Sequence, residues 1–223
     1  MSHSFSAARA RFTLAARIVA IAAVMAVALP LAAARAATPQ EEFVQTNIQR
    51  GLEILNSNAS KAQKREQFRS FLLGLTDLKR IADYTLGPAK NTTSPADLAA
   101  FEDAFREYAF AVYESEFTKY SGQTLKVTGS VERKPDDYLV TTVLVDPHAK
   151  NGQEPIQVDF RIFGTPGHFT VGDITVLGLD LAITEQDDFT SYLAQHNNDV
   201  KSLTANLKQR AANVRAGGAL NGK

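Results

Sequence analysis

The apolar residues of this 223-residue chain change their period twice. Up to about Tyr120 they recur every three or four positions, the spacing of one helix face. From Leu125 to Leu177 they alternate or run together in short β-branched stretches, and after Glu185 the helical spacing returns. Helices, then strands, then helices is the order of an α+β domain, with helices packed on an antiparallel sheet. The length suits one domain of ordinary size.

The helical blocks carry their own punctuation. From Pro39, a first helix is traced by Phe43, Ile48, Leu52 and Leu55 and ends at the Asn56–Ser60 loop. Ser60 is a candidate N-cap for a second helix running to about Gly74. Phe68, Phe71, Leu72 and Leu75 lie on one side of it, Lys61, Lys64, Arg65 and Arg69 on the other. A short third helix starts at Asp77, carries Leu78, Ile81 and Tyr84, and stops at Gly87-Pro88; Asn91-Thr92-Thr93 reads as a loop. Ser94-Pro95-Ala96-Asp97 then combines a Ser cap, a first-turn Pro and an acid three residues after the cap. The helix it opens is predicted to reach about Tyr120. Leu98, Phe101, Phe105, Tyr108 and Val112 form one apolar stripe and Phe110, Tyr113 and Phe117 a second, so this helix should meet apolar partners on more than one side.

Four strands are expected at Leu125–Lys134, Tyr138–Asp146, Glu154–Phe163 and His168–Leu177, all rich in Val, Ile, Thr and Phe. The short Pro-, Asp- and Gly-containing links between them suit an antiparallel meander. The second strand (YLVTTVLV) is apolar on both faces and is expected to be central and covered twice. Two helices close the fold, Glu185–His196 and Asp199–Val214, and residues 216–223 read as a disordered tail.

The balanced charge, 24 basic against 24 acidic residues, hides an asymmetry. Residues 1–36 hold four Arg and no acid, which leaves the remainder at −4. Arg9, Arg11 and Arg17 precede an apolar run from Ile18 to Leu29, Pro30 breaks it, and Ala34-Arg35-Ala36 supplies a cleavage site. This is the pattern of a secretory signal peptide, with a run too short to span a bilayer. The remainder is therefore expected to be soluble and outside the cytoplasm, with a working domain over 37–215. Without a basic excess, nucleic acid is not an expected partner.

Chemistry is conspicuous by what is missing. The chain has no Cys, which excludes disulfides, thiolate nucleophiles and Cys-ligated metals. It has no phosphate-binding glycine loop, no H-E-x-x-H and no G-x-S-x-G. His148 sits in a turn after Asp146, His168 starts a strand and His196 ends a helix. Asp136-Asp137 reads as a hairpin turn and Asp187-Asp188 as the first turn of a helix, where acids are stabilised by the dipole. No catalytic residue, metal or cofactor is assigned. Aromatic side chains are in excess instead: Phe68, Phe71, Tyr84, Phe101, Phe105, Tyr108, Phe110, Tyr113, Phe117 and Tyr120 all precede the sheet. A sheet face and a splayed helical layer lined this way can enclose an apolar cavity with polar groups at its mouth. The Lys61–Arg69 face, with Lys79-Arg80, is a candidate cationic rim for an anionic head group.

On these segments the chain resembles the MlaC family, the periplasmic phospholipid-binding component of the Mla lipid-transport system, also called toluene-tolerance proteins. The carriers are DLKRIADYTLG at Asp77–Gly87, FEDAFREYAFAVYESEFTKYSGQTLKV at Phe101–Val127, IQVDFRIF at Ile156–Phe163, and FTVGDITVLGLDL at Phe169–Leu181, followed by Phe189 and Leu193. Two family Trp positions are occupied here by Pro88–Asn91 and Phe169, and a Tyr-Arg pair by Ile183–Gln186.

The resemblance implies a twisted antiparallel sheet of about four strands, packed with N- and C-terminal helices around a hydrophobic pocket for acyl chains. It also implies a monomeric, non-enzymatic carrier that moves phospholipid between an outer-membrane lipoprotein complex and an inner-membrane ABC transporter complex, maintaining outer-membrane lipid asymmetry. A hopanoid is an alternative cargo. We expect the tails to be lined by Phe71, Tyr84, Phe105, Tyr108 and Val112 from helices and by Val143, Val158 and Phe160 from strands. The rival reading is an enzyme on a cone-shaped α+β barrel, using Asp159 or Asp173 beside Tyr84 or Tyr113. A pure adaptor, with a filled core and a basic binding helix, is the third.

Overall fold

The computed structural model describes residues 35–116, 120–150, 152 and 154–218. The expected signal peptide and Phe117 lie outside these residues, apart from Arg35 and Ala36 at the segment's end. Helices α1 (Pro39–Asn56), α2 (Lys61–Leu75), α3 (Leu78–Leu86) and α4 (Pro95–Glu116) come first. Strands β1 (Thr124–Lys134), β2 (Asp137–Val145), β3 (Gln157–Phe163), β4 (Thr170–Val176) and β5 (Leu179–Asp180) follow, then α5 (Leu181–Gln195) and α6 (Val200–Arg215). The five strands form one antiparallel sheet in chain order, the meander the sequence predicts plus a two-residue edge. Among the described residues no helix is long and apolar enough to cross a membrane.

Local chemistry sets most boundaries. Thr38 and Ser60 close capping boxes with Glu41 and Gln63, and the Ser94 hydroxyl accepts the Asp97 amide. Several boundaries differ from expectation: α4 has its bound at Glu116, with Tyr120 outside it, β3 begins at Gln157 instead of Glu154, and β4 at Thr170 instead of His168. A 3-10 turn, Gly87–Thr92, occupies the stretch before α4. Helix α5 begins four residues before the expected Glu185, because Asp180 accepts the Ile183 amide and caps it there. Asp187 and Asp188 therefore lie beyond the first turn. Leu177 and Gly178, both at positive φ, make the two-residue turn that creates β5. Ala216–Gly218, placed by the sequence in a tail, instead form a helix cap in which Gly217 takes φ +86° and the Gly218 amide reaches Asn213.

Helix α1 is pinned across the inner face of the sheet at its N-terminus. Ser130 of β1 donates to Glu41 Oε1 (2.8 Å) and accepts from Gln40 Nε2 (3.0 Å), and the Thr38 hydroxyl lies 3.1 Å away. On the inner face Val140 and Thr142 of β2 are buried. Leu139, Thr141 and Val143 on the outer face are only half-buried, so β2 is interior to the sheet but fully covered on one face alone.

The buried apolar residues separate into three clusters. One joins α4, α5 and α6 through Phe101, Phe105, Phe189, Leu203 and Leu207. Another joins α1 to the sheet through Val44, Val140, Ile162, Phe169 and Val171. A third, with Leu72, Leu78 and Phe110, joins α2, α3 and α4. Helix α4 thus has apolar partners on two sides, as its two stripes predict. Phe189 is fully buried and meets Phe101 and Phe105 edge-on, at centroid distances of 6.0 and 6.3 Å. Phe189→Ala should cost about 3–5 kcal/mol. Urea unfolding of both proteins checks this, and a loss under ~1.5 kcal/mol would show that the helical cluster is not a close-packed core.

Candidate functional site

Between the clusters lies a cavity of about 720 Å³, within the ~300–1,000 Å³ typical of small-molecule sites. Helix α1 lines it with Phe43, Asn47, Gly51 and Leu55 at four-residue spacing, and with Val44, Ile48 and Leu52 beside them. Helix α2 adds Phe68, Phe71, Leu72 and Leu75, and α3 adds Leu78, Ile81 and Thr85. From α4 come Phe105, Tyr108, Ala109, Val112 and Tyr113. The sheet contributes Leu125, Leu144, Phe160, Val171 and Ile174. Many of these, including Ile48, Leu52, Phe71, Val112 and Phe160, are only half-buried although they face the interior. That is the signature of side chains bordering a void instead of each other.

One end of the wall is polar and is built by α5, α6 and β4. Glu185 Oε1 accepts from the Tyr108 hydroxyl at 3.4 Å, while its Oε2 is shielded from solvent and has no hydrogen-bond partner. Arg210 Nη1 donates to Asp188 Oδ2 at 2.6 Å. Asp173 Oδ1 accepts the amides of Ile174 (2.8 Å) and Ala182 (3.2 Å). Leu181 lines the cavity and is 40% exposed, and Asp188, which also lines it, is exposed too, so this stretch of the wall has side chains in contact with solvent.

Burial dominates the titration of these groups. It pushes the Asp173 carboxyl up to about 7, helped by the neighbouring Asp180 and opposed by the two backbone amides. It raises Glu185, with Asp188 adding to the effect and Arg210 opposing it. The Tyr108 hydroxyl is pushed up to about 12, first by burial and then by the Glu185 charge, so it acts as a neutral hydrogen-bond donor.

Residues 45–209 match the model of the MlaC protein family. The chain belongs to the MlaC family. The same architecture occurs in the phospholipid-binding protein from Ralstonia solanacearum, whose structure was determined in complex with a phospholipid. The two chains are 20% identical, the TM-score is 0.65, and the match covers 78% of this chain and 97% of that one. At that identity the likeness establishes the fold, and the sequence-derived α+β class and MlaC resemblance agree with it.

Of the residues proposed from sequence, Phe71, Phe105, Tyr108, Val112 and Phe160 line the cavity. Three do not. Val143 pairs with Lys126 and Gln157, both exposed, and so belongs to the outer face. Val158 shares the inner face with Phe160, between Thr142 and Val176, but its short side chain does not border the void. Tyr84 is 47% exposed, because the α3 turn aims Leu78, Ile81 and Thr85 inward instead. The residues missed are chiefly those of α1. The apolar rhythm of Phe43, Ile48, Leu52 and Leu55 was visible, but nothing local distinguishes a face bordering a cavity from one bordering a core.

The expected cationic rim is also corrected. Lys61, Lys64, Arg65, Arg69, Lys79 and Arg80 do not line the cavity. Arg69 pairs with Glu114 (2.9 Å) and Glu107 (3.3 Å), Arg65 with Glu114, and Lys79 with Glu102. Lys64 reaches the Leu55 carbonyl, and Arg80 lies over the Phe163 ring.

Of the rival reading's two acids, Asp159 stands off the cavity and Asp173 lines it. Asp159 accepts from Gln157 on the outer face, and Asp173 holds the backbone at the start of α5. Among the described residues no cluster of three or more His, Asp or Glu is placed to hold a metal ion.

The Asp173 pKa yields a signed prediction. Its folded value of about 7 lies above the ~3.9 of an unfolded Asp. Between those values the folded protein holds a proton that the unfolded chain has released, so this group costs stability as pH rises. Asp173→Asn keeps the acceptor oxygen and removes the titration. Its melting temperature relative to wild type should climb from pH 5 to pH 8, by less than the full shift implies because the group is only half-buried. Thermal melts at both pH values test this, and a pH-independent difference would reject it.

Proposed function

We propose that this chain is a non-enzymatic phospholipid carrier, its acyl tails held in the cavity and its working domain spanning residues 37–215. In this reading residues 1–36 direct export, the carrier works in the periplasm as a monomer, and it moves lipid between outer- and inner-membrane complexes. The observation that carries it is the 720 Å³ space lined mostly by apolar side chains of α1, α2, α4 and the sheet. Family membership and the lipid-bound relative of the same fold support it.

The energetics fit such a role. Each methylene buried is worth roughly 0.8 kcal/mol, so a two-chain lipid with about 30 methylenes forgoes on the order of 24 kcal/mol on entering water. Unaided passage is therefore negligibly slow. A carrier must replace most of that contact with its own wall and still let go. Phe71, Phe105, Tyr108, Val112 and Phe160 would contact the tails, and reversible sequestration requires no bond to be made or broken.

Protein purified from a bacterial host expressing the full chain should yield lipid near one molecule per protein on solvent extraction. Val112→Asp, which sets a charge against the tails, should lower that yield at least about tenfold, since burying an unpaired charge costs several kcal/mol. Circular dichroism establishes that the variant is folded. Wild-type protein with no extractable lipid, or a folded variant with undiminished loading, would end this reading.

A further inference from the structure

We propose that the polar end of the cavity is a head-group site that favours a zwitterionic, amine-bearing lipid over an anionic one. The proposal rests on the carrier reading above and adds the class of head group. Four charged side chains line the cavity among the described residues: Asp173, Glu185, Asp188 and Arg210. All four stand at one end, where α5 packs on both β4 and α6, and there Leu181 and Asp188 of the wall are exposed. Three are acids, and the single cation is already engaged: Arg210 donates to Asp188 at 2.6 Å.

A lipid phosphate with no cationic substituent would have to compete with Asp188 for Arg210 while standing beside Glu185. An ammonium group meets the opposite situation. It brings three N–H donors and no acceptor, and Glu185 Oε2 is a shielded acceptor without a donor. The Tyr108 hydroxyl holds the other oxygen, Oε1, at 3.4 Å and so orients the carboxyl toward the cavity. A zwitterion can use both partners, its phosphate sharing the solvent side of Arg210 and its amine turned to Glu185. The cations that might have reversed this preference are committed elsewhere, with Arg65 and Arg69 on Glu114, Arg69 also on Glu107, and Lys79 on Glu102.

The test strips the purified protein of co-purified lipid with detergent, then offers it vesicles holding equal amounts of phosphatidylethanolamine and phosphatidylglycerol with identical, isotopically labelled acyl chains. The protein is re-isolated and its bound lipid counted by mass spectrometry. About fivefold enrichment of phosphatidylethanolamine is expected, equivalent to ~1 kcal/mol at 1.4 kcal/mol per tenfold. Glu185→Gln should bring the ratio toward one, and Asp188→Asn, which frees Arg210, should bring it to one or below. The ratio is read on whatever lipid is bound, so a change in total loading does not mask it. A wild-type ratio of one or less with lipid bound overturns the head-group proposal and leaves the carrier reading standing. Protein that takes up neither lipid overturns both.

Discussion

The packing of α4 against α6 is the contact on which the open interior depends. Phe101, Ala104, Phe105, Tyr108 and Ala111 of α4 share one buried cluster with Leu203, Leu207, Ala211 and Val214 of α6, and Phe189 of α5 joins them. A helix whose apolar stripe is satisfied in this way gains little by collapsing onto the sheet. The sheet is served separately by α1, which the Ser130 hydrogen bonds hold over β1 and β2. Two layers, each with its own core, can stand apart. Val112, Tyr113, Ile48 and Phe71 then border the gap between them.

Charge is arranged to leave that gap apolar along most of its length. The basic face of α2 is drawn outward to Glu107 and Glu114 of α4, and Glu107 also receives Arg215 at 2.6 Å. The Glu107 pairs are partly exposed and contribute little to stability, whereas Glu114 is buried and its carboxylate is held by Arg69. Their effect here is positional, since they keep guanidinium groups off the cavity wall. On the outer face of the sheet Asp137 is buried and forms two hydrogen bonds with Arg161 (3.0 and 2.9 Å), which hold its carboxyl below the usual range. An acid that reads as a turn residue thus becomes half of an ion pair once the hairpin brings β3 alongside.

What could be read from the chain follows from the range of each signal. Caps at Ser60, Asp77, Ser94 and Asp199 act within one turn, and the helices they open stand where expected. The double stripe of α4 is also local, and both stripes are used. Strand faces are harder, because Val140 and Val143 are alike in type and only the partner strands decide which one turns inward. The edge strand β5 depends on a Leu177-Gly178 turn that lacks the usual Asn-Gly signal. Cation placement failed for the same reason: Glu107 and Glu114 lie 38 and 45 residues beyond Arg69, and their approach is a property of the fold.

The division of labour within the cavity bears on how a tight binder can also be selective. Tail burial involves the larger energy, yet it is nearly the same for any lipid with the same chains and cancels when two head groups compete. Specificity is a difference of affinities. The four charged side chains at the α5–α6 end can therefore decide between cargoes although they contribute little to holding either one. A head group bound where Leu181 and Asp188 meet solvent would stay partly hydrated, which would limit the desolvation that a wholly enclosed site imposes. A grip that is strong but indifferent along the tails, and weak but discriminating at the rim, is how an open-ended apolar cavity combines retention with choice.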